Sequence, residues 1–205
     1  MLHTTLQHHD PLIAPDLVLS HVWHLTHVNN LPSVFNSASG LLSKHALQQQ
    51  LVSYQDISMT EVQTRRARKT IFGIPLHNFV PTFVQQRNPM MSKLRHQARH
   101  LVWLKIDVCK LTQQYCITAD RNAAADGVKF YEGIAPEFLP WHVLMSSYWN
   151  NLTEGSALRS AEILVLNRIS PSAIVGAEVC NPNLISHIEQ EYGLAAVYAP
   201  NKFFL

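Results

Sequence analysis

The sequence predicts a mixed α+β fold in a single domain. Three observations lead there: a short apolar strand near the start, a helical signature directly after it, and a series of apolar, β-branched runs crowded into the second half of the chain. No internal repeat or low-complexity linker divides the 205 residues. One domain is therefore expected over residues 21–205. Residues 1–20, rich in His, Pro and short polar residues, read as a loosely ordered N-terminal extension.

Taken in order, residues 21–28 (HVWHLTHV) read as a strand, and Asn29-Asn30 opens a turn behind it. Residues 30–42 (NLPSVFNSASGLL) read as a helix, with Pro32 in the first turn, Val34 and Phe35 facing inward and a Ser-Gly stop. Residues 56–69 (DISMTEVQTRRARK) start polar and form a short helix or an ordered loop. In residues 100–108 (HLVWLKIDV), Leu101 and Trp103 alternate with positions expected to be more exposed. Residues 115–120 (YCITAD), 162–169 (EILVLNRI), 174–180 (IVGAEVC) and 194–205 (LAAVYAPNKFFL) supply the remaining strands. Residues 136–152 (PEFLPWHVLMSSYWNNL) read as helical or irregular.

Hydrophobic residues make up 47% of the chain, enough for one substantial core. Charged residues are few, and a net charge of +2 excludes a protein that coats nucleic acid by charge alone. A local basic groove stays open, because steering follows the distribution of charge as well as its total. Cys109, Cys116 and Cys180 are odd in number and form no C-x-x-C pair, so they read as reduced thiols that fill the core of a cytoplasmic protein. The opening MLHTTLQHHD lacks the basic and apolar regions of a secretory signal, and no apolar run approaches the roughly 20 residues needed to cross a bilayer.

Common chemical signatures are missing: there is no Walker A motif, no G-x-G-x-x-G, no G-x-S-x-G and no H-E-x-x-H. His21, His24 and His27 recur every three residues. On a strand that spacing sends them to alternating faces, and no carboxylate or cysteine stands at ligand spacing, so no metal is expected. The stretch VQTRRARK (62–69) gathers Arg65, Arg66, Arg68 and Lys69. Such a run is ordinarily a solvated face, yet adjacent arginines also suit phosphate oxygens through forked hydrogen bonds. Arg87, Lys93, Arg95 and Arg99 follow further on. Phe138, Trp141, Tyr148 and Trp149 precede Glu162; most such aromatics are core, but one or two exposed rings would stack bases. Glu162 itself opens an apolar strand, where an unpaired buried carboxylate is costly.

The stretches LTHVNNLPSVFNSASGLLS, VQTRRARK, PLHNFVPTFVQQRNPMM, ITADRNAA, LRSAEILV and YAPNKFF, in this order, resemble the DarT family of bacterial and phage DNA ADP-ribosyltransferase toxins. The resemblance covers residues 21–205. It implies an ADP-ribosyltransferase fold with a split mixed sheet, NAD as co-substrate in the central cleft, no metal, and transfer of ADP-ribose to thymine or guanine in single-stranded DNA. It also implies a monomer and a macrodomain antitoxin, DarG, as partner. Carried over to this chain, His27 resembles the histidine that contacts the NAD ribose, with Asn29, Asn30 and Leu31 completing that block. Either Arg65 or Arg66 resembles the arginine near the nicotinamide and diphosphate, with Arg65 preferred and Arg66 left to the DNA. Glu162 resembles the catalytic glutamate: a fixed carboxylate stabilises the oxocarbenium character that develops as the nicotinamide bond breaks. Nicotinamide departs as a neutral heterocycle, so the reaction calls for no metal.

Phe83 stands at a cofactor-side position that is often tyrosine, and Thr82, Gln86 and Arg121 also depart from the family pattern. Arg66, Arg87, Met90, Lys93, Arg95, Trp141, Tyr148 and Trp149 are the expected DNA contacts. Arg65, Arg66 and His77 are candidates for assisting deprotonation of the acceptor base. Transfer to RNA or protein, and a catalytically silent binding module, are the competing readings. The joint presence of His27, Arg65, Arg66 and Glu162 argues against the silent module.

Overall fold

The computed structural model describes residues 19–36 and 39–205, so nearly all of the expected N-terminal extension lies outside the described residues. In chain order the strands are β1 (His21–His27), β2 (Leu41–Leu42), β3 (Thr70–Ile71), β4 (Ile74–Pro75), β5 (Phe79–Phe83), β6 (Leu101–Asp107), β7 (Cys116–Ala119), β8 (Phe130–Glu132), β9 (Glu162–Leu166), β10 (Arg168–Ile169), β11 (Ile174–Val179) and β12 (Ala196–Tyr198). The helices are α1 (Leu31–Phe35), α2 (Lys44–Gln49), α3 (Thr60–Ala67), α4 (Pro89–Leu94), α5 (Trp141–Leu144), α6 (Gly155–Leu158) and α7 (Asn183–Tyr192). Eight strands form one mixed sheet in the order β12-β11-β6-β1-β5-β9-β7-β8. β12 joins β11 in parallel, and every other neighbouring pair in the sheet is antiparallel.

Side chains alternate between two buried faces. One face carries Val22, Val102, Leu104, Ile106, Val80, Ile163 and Val165, packed with Leu31 and Val34 of α1 and Ile188 of α7. The other carries Leu25, Leu101, Trp103 and Phe83 at one end and Phe79, Ile117, Ala119 and Leu164 at the other. Register sets Glu162 opposite both Phe83 and Ala119, so the carboxylate belongs to this second face.

The sheet is split. β1 pairs with β6 along its whole length but meets β5 at one register pair, Trp23 with Phe83. Beyond it the strands diverge, and the His24 side chain spans the gap through Nδ1 to the Pro81 carbonyl at 2.8 Å. The cleft begins here.

Several expectations are corrected. The helix expected over 30–42 ends at Phe35, and Leu41–Leu42 instead pair with Arg168–Ile169. Gly40 makes that turn at φ +75°, where an added Cβ would fall 2.0 Å from the Ile169 carbonyl oxygen. The strand expected over 162–169 breaks at Asn167, which takes a positive φ of 62°. The C-terminal run forms strand only over Ala196–Tyr198 before a 3-10 turn. Leu101, Val102, Trp103 and Leu104 are all fully buried. The expected alternation in β6 fails because this central strand is covered on both faces.

Candidate active site

Glu162 is the first residue of β9 and has no exposed surface. Burial of its charge is answered on two sides. Arg66 Nη1 donates to Oε2 at 3.1 Å, and the Ala123 backbone N–H donates to Oε1 at 3.0 Å. A carboxylate has about four lone-pair directions, so acceptor capacity remains on both oxygens.

Local sequence explains both donors. α3 carries Glu61 in its first turn and Arg65 and Arg66 in its last, which suits the helix dipole at each end. Successive helical residues point about 100° apart, so α3 turns Arg66 inward and leaves Arg65 exposed. The Ala123 donor comes from the loop after β7. There Asn122 Oδ1 accepts from the Ala124 N–H at 2.8 Å, and the Lys69 ammonium donates to the carbonyls of Ala123 and Ala125 at 3.0 and 2.6 Å. Burial lowers the Lys69 pKa.

Two cavities lie beside this pair, and Glu162 itself is on the wall of neither. The first opens at the split in the sheet, and its walls include His24, Thr26, Asn30, Arg66, His77 and Pro81. Two buried nitrogens on these walls, Arg66 Nη2 and His77 Nε2, have no hydrogen-bond partner among the described residues. Burial, with the nearby charges of Lys44 and Arg66, lowers the His77 pKa and favours the neutral ring. The second cavity is walled by Met59, Arg65, Lys93, Asn122, Ser156 and Ser160. Ile57, Ser58 and Met90 border both. Glu162 is thus held by an arginine of the first cavity and by the loop that walls the second.

His27 closes β1 at 7% exposure and stacks on His100 with ring centroids 5.8 Å apart. It does not line the first cavity. Its Nδ1 accepts from the Asn29 N–H at 3.1 Å, which places the proton of the neutral ring on Nε2. Burial and the neighbouring His100 lower its pKa. Register puts His27 on the same sheet face as Glu162.

The remaining sequence-predicted residues separate clearly. Arg65 and Arg66 point to different places: Arg66 pairs with Glu162 and lines the first cavity, and Arg65 lines the second. Asn30 lines the first cavity, but its amide is engaged with Thr26 and the Gln55 backbone, so it anchors the 52–58 segment. Asn29 is exposed and bonds Gln55 Oε1. Leu31 is fully buried core. Phe83, expected at the cofactor, instead packs edge-on against Trp103 at 6.0 Å. Met90 borders both cavities, Lys93 lines the second, and Arg95 is exposed.

Among the expected base-stacking rings, Tyr148 is 80% exposed. Trp149 is 7% exposed, and Trp141 is half-buried with its indole N–H on the Pro136 carbonyl. Trp149 packs between Arg159 and Phe204. The departures from the family pattern are anchors. Thr82 donates to the Ile163 carbonyl, Gln86 to Glu178, and Arg121 to Asp120 and Glu154. Sequence reading missed the roles of Lys69, the Ala123 N–H and Arg159. The ITADRNAA motif was the available signal for the loop that carries Ala123, but a backbone donor leaves no residue-type signature.

Comparison with known proteins follows from this geometry. A Thermus aquaticus protein named DNA ADP-ribosyl transferase is 28% identical over 158 residues, 70% of this chain and 68% of its own length. A Mycobacterium tuberculosis protein of the same name is 26% identical over 180 residues, 78% of this chain and 75% of its own. Among solved structures, Thermosipho africanus DarTG in complex with ADP-ribose has a TM-score of 0.82 at 20% identity over 91% of this chain, which spans about half (51%) of that one. Thermus sp. 2.9 DarT in complex with ADP-ribosylated ssDNA has a TM-score of 0.77 at 18% identity, covering 90% of this chain and 96% of that one. These likenesses establish the fold. The family described as ssDNA thymidine ADP-ribosyltransferase, DarT, matches residues 23–198, from within β1 to the end of β12, and the chain belongs to that family.

Proposed function

We propose that this protein transfers ADP-ribose from NAD to a thymine base in single-stranded DNA, with NAD in the first cavity and the acceptor nucleotide in the second. The observation that carries this reading is the position of Glu162, bonded at once to Arg66 and to the Ala123 loop. Donor and acceptor would meet at one carboxylate.

The first cavity suits NAD. Buried polar atoms without partners are rare and costly, and Arg66 Nη2 and His77 Nε2 are two on its walls. Diphosphate oxygens and ribose hydroxyls supply the missing acceptors; His27, which lies outside the walls of this cavity, carries its proton on Nε2. As the bond from ribose C1′ to nicotinamide breaks, its electron pair leaves with the neutral nicotinamide. Glu162 stabilises the positive charge growing on the ribose, and its effect is strengthened by exclusion of water. The thymine ring nitrogen gives up its proton to water, and the lone pair of the resulting imide anion bonds to C1′. Arg65, on the acceptor side, stabilises the imide anion that forms.

Incubation with NAD and single-stranded oligonucleotides with and without thymine tests this by intact mass. The expected result is an ADP-ribose adduct on the thymine-containing strands alone, lost in Glu162→Gln. NAD consumption with an adduct on RNA or on the protein, and none on DNA, would overturn the reading.

The physiological setting extends the same proposal. The activity acts as a toxin, reversed by a macrodomain antitoxin of the DarG type, which the likeness to Thermosipho africanus DarTG supports. Among the described residues no helix is long and apolar enough to cross a membrane. A bacterial cytoplasm holds both NAD and replicating DNA. Growth arrest on expression, relieved by co-expression of a macrodomain hydrolase, is the expected outcome.

A further inference from the structure

Arg159 is a buried arginine that meets no carboxylate. It is 6% exposed, and its partners are carbonyl oxygens: Nε donates to Arg87 at 2.7 Å, and Nη1 to Val143 and Ser146 at 3.0 and 3.1 Å and to Leu144. Nη2 has no hydrogen bond among the described residues. The guanidinium lies over the Trp149 ring at 4.6 Å, Trp149 meets Phe204 edge-on at 6.0 Å, and Arg87 covers the Phe204 ring at 4.6 Å. The four groups thus alternate cation, ring, ring, cation, which fixes both guanidinium planes.

Both arginines line a third pocket together with Gln85, Ser146, Ser147 and Trp149, and no acidic side chain borders it. Neither takes part in any ion pair among the described residues. The charges are close enough to repel: burial and Arg87 together lower the Arg159 pKa to about 10, which still leaves it protonated at neutral pH. Two like charges on a pocket with no acidic neighbour make its potential positive, which favours an anion.

Resting on the transferase reading above, we propose that this pocket is a phosphate subsite that takes one phosphodiester of the acceptor strand. Planar guanidinium forks suit phosphate oxygens, and the hydroxyls of Ser146 and Ser147 add donors at the rim. Tyr148, next in the chain and 80% exposed, offers a ring to the neighbouring base. On the other side, Arg87 leads within three residues to Met90, which borders the acceptor cavity. A strand bound on Arg87 and Arg159 is therefore led toward the acceptor cavity.

The test is equilibrium binding of a labelled thymine-containing oligonucleotide, without NAD, across a salt series. The proteins are the wild type, Arg87→Gln, Ser147→Glu and Arg159→Lys, the first two substitutions lying at exposed positions. Expected are about tenfold weaker binding for Arg87→Gln and Ser147→Glu, and for Arg87→Gln a salt slope shallower by about 0.7 per lost phosphate contact. A single neutral methylphosphonate, walked along the strand, should weaken the wild type at one position and leave Arg87→Gln unaffected there. Unchanged affinity and slope in both exposed variants would overturn the subsite. Arginine-dependent competition by inorganic phosphate, with no sensitive methylphosphonate position, would overturn it as a strand site and leave a site for free phosphate. Loss of binding in the variants, from a wild type that modifies no DNA when NAD is added, would instead sink the transferase reading and keep the subsite.

Discussion

The Lys69 ammonium holds the Ala123 carbonyl at 3.0 Å, while the N–H of Ala123 donates to Glu162. A lysine in a run that looks like a solvated basic face is therefore a brace for the proposed catalytic carboxylate. Lys69→Met keeps the stem and removes the ammonium, so the loop over Asn122–Ala125 should loosen. Misplacement of a reacting geometry by about 1 Å costs on the order of a hundredfold in rate. The expected result is a fall in kcat of that order, with the KM for NAD little changed, read by oligonucleotide mass.

Two substitutions at Glu162 should differ in kind. Glu162→Gln keeps the shape and one of the two accepted hydrogen bonds, so the fold should survive while transfer drops by about a hundredfold to a thousandfold. Glu162→Ala leaves the Arg66 guanidinium, 7% exposed, buried without its partner. Breaking one side of a buried pair costs about 3–5 kcal/mol. Urea unfolding of the two variants should separate them by that margin.

Arg65 and Arg66 should also part company. Arg66→Ala is expected to raise the KM for NAD and lower kcat together. Arg65→Ala should raise the KM for the oligonucleotide about tenfold and leave NAD binding intact. Steady-state kinetics with each substrate varied in turn decides it, and the reverse split would restore the assignment that the sequence alone favours.

Acid should destabilise the protein through its histidines, His21 among them. His24, His27 and His77 all have folded-state pKa values lowered by burial from the ordinary 6.5. Below 6.5 the unfolded chain then binds more protons than the folded one, so stability rises with pH across that window. It is fully present above 6.5 and is lost as pH falls through the lowered values. Urea midpoints between about pH 5 and pH 8 should show this. His27→Gln should flatten part of the curve, because protonation of His27 also breaks its bond from Asn29.

Much of this was legible in the residues, and the exceptions have physical causes. Glu162 at the mouth of EILVL was conspicuous because a carboxylate beside four apolar residues needs a partner. The partner itself was ambiguous, since two adjacent arginines look alike until helical phase turns one inward. β5 was missed as a strand because Pro81 sits in its middle, where a central strand normally excludes proline. Pro81 is tolerated because its side toward β1 carries no register pair: it pairs with Leu164 on β9, and its carbonyl meets the His24 ring across the gap. The anomaly in the sequence was the mark of the split. Phe83 and Trp149 are buried, as aromatic residues near a site usually are, and their packing partners leave no local pattern in the sequence.

The single Trp23–Phe83 pairing between β1 and β5 has one more consequence. His27 and Glu162 lie in different half-sheets, so a ligand that touches both ties together two bodies that the backbone joins only weakly. Such a ligand should slow amide hydrogen exchange along β1 and β5 together and raise the melting temperature by mass action. Both signals should persist in Glu162→Gln, where turnover is greatly reduced. Occupancy of the cleft would then be read from the protein's own rigidity, independent of any product.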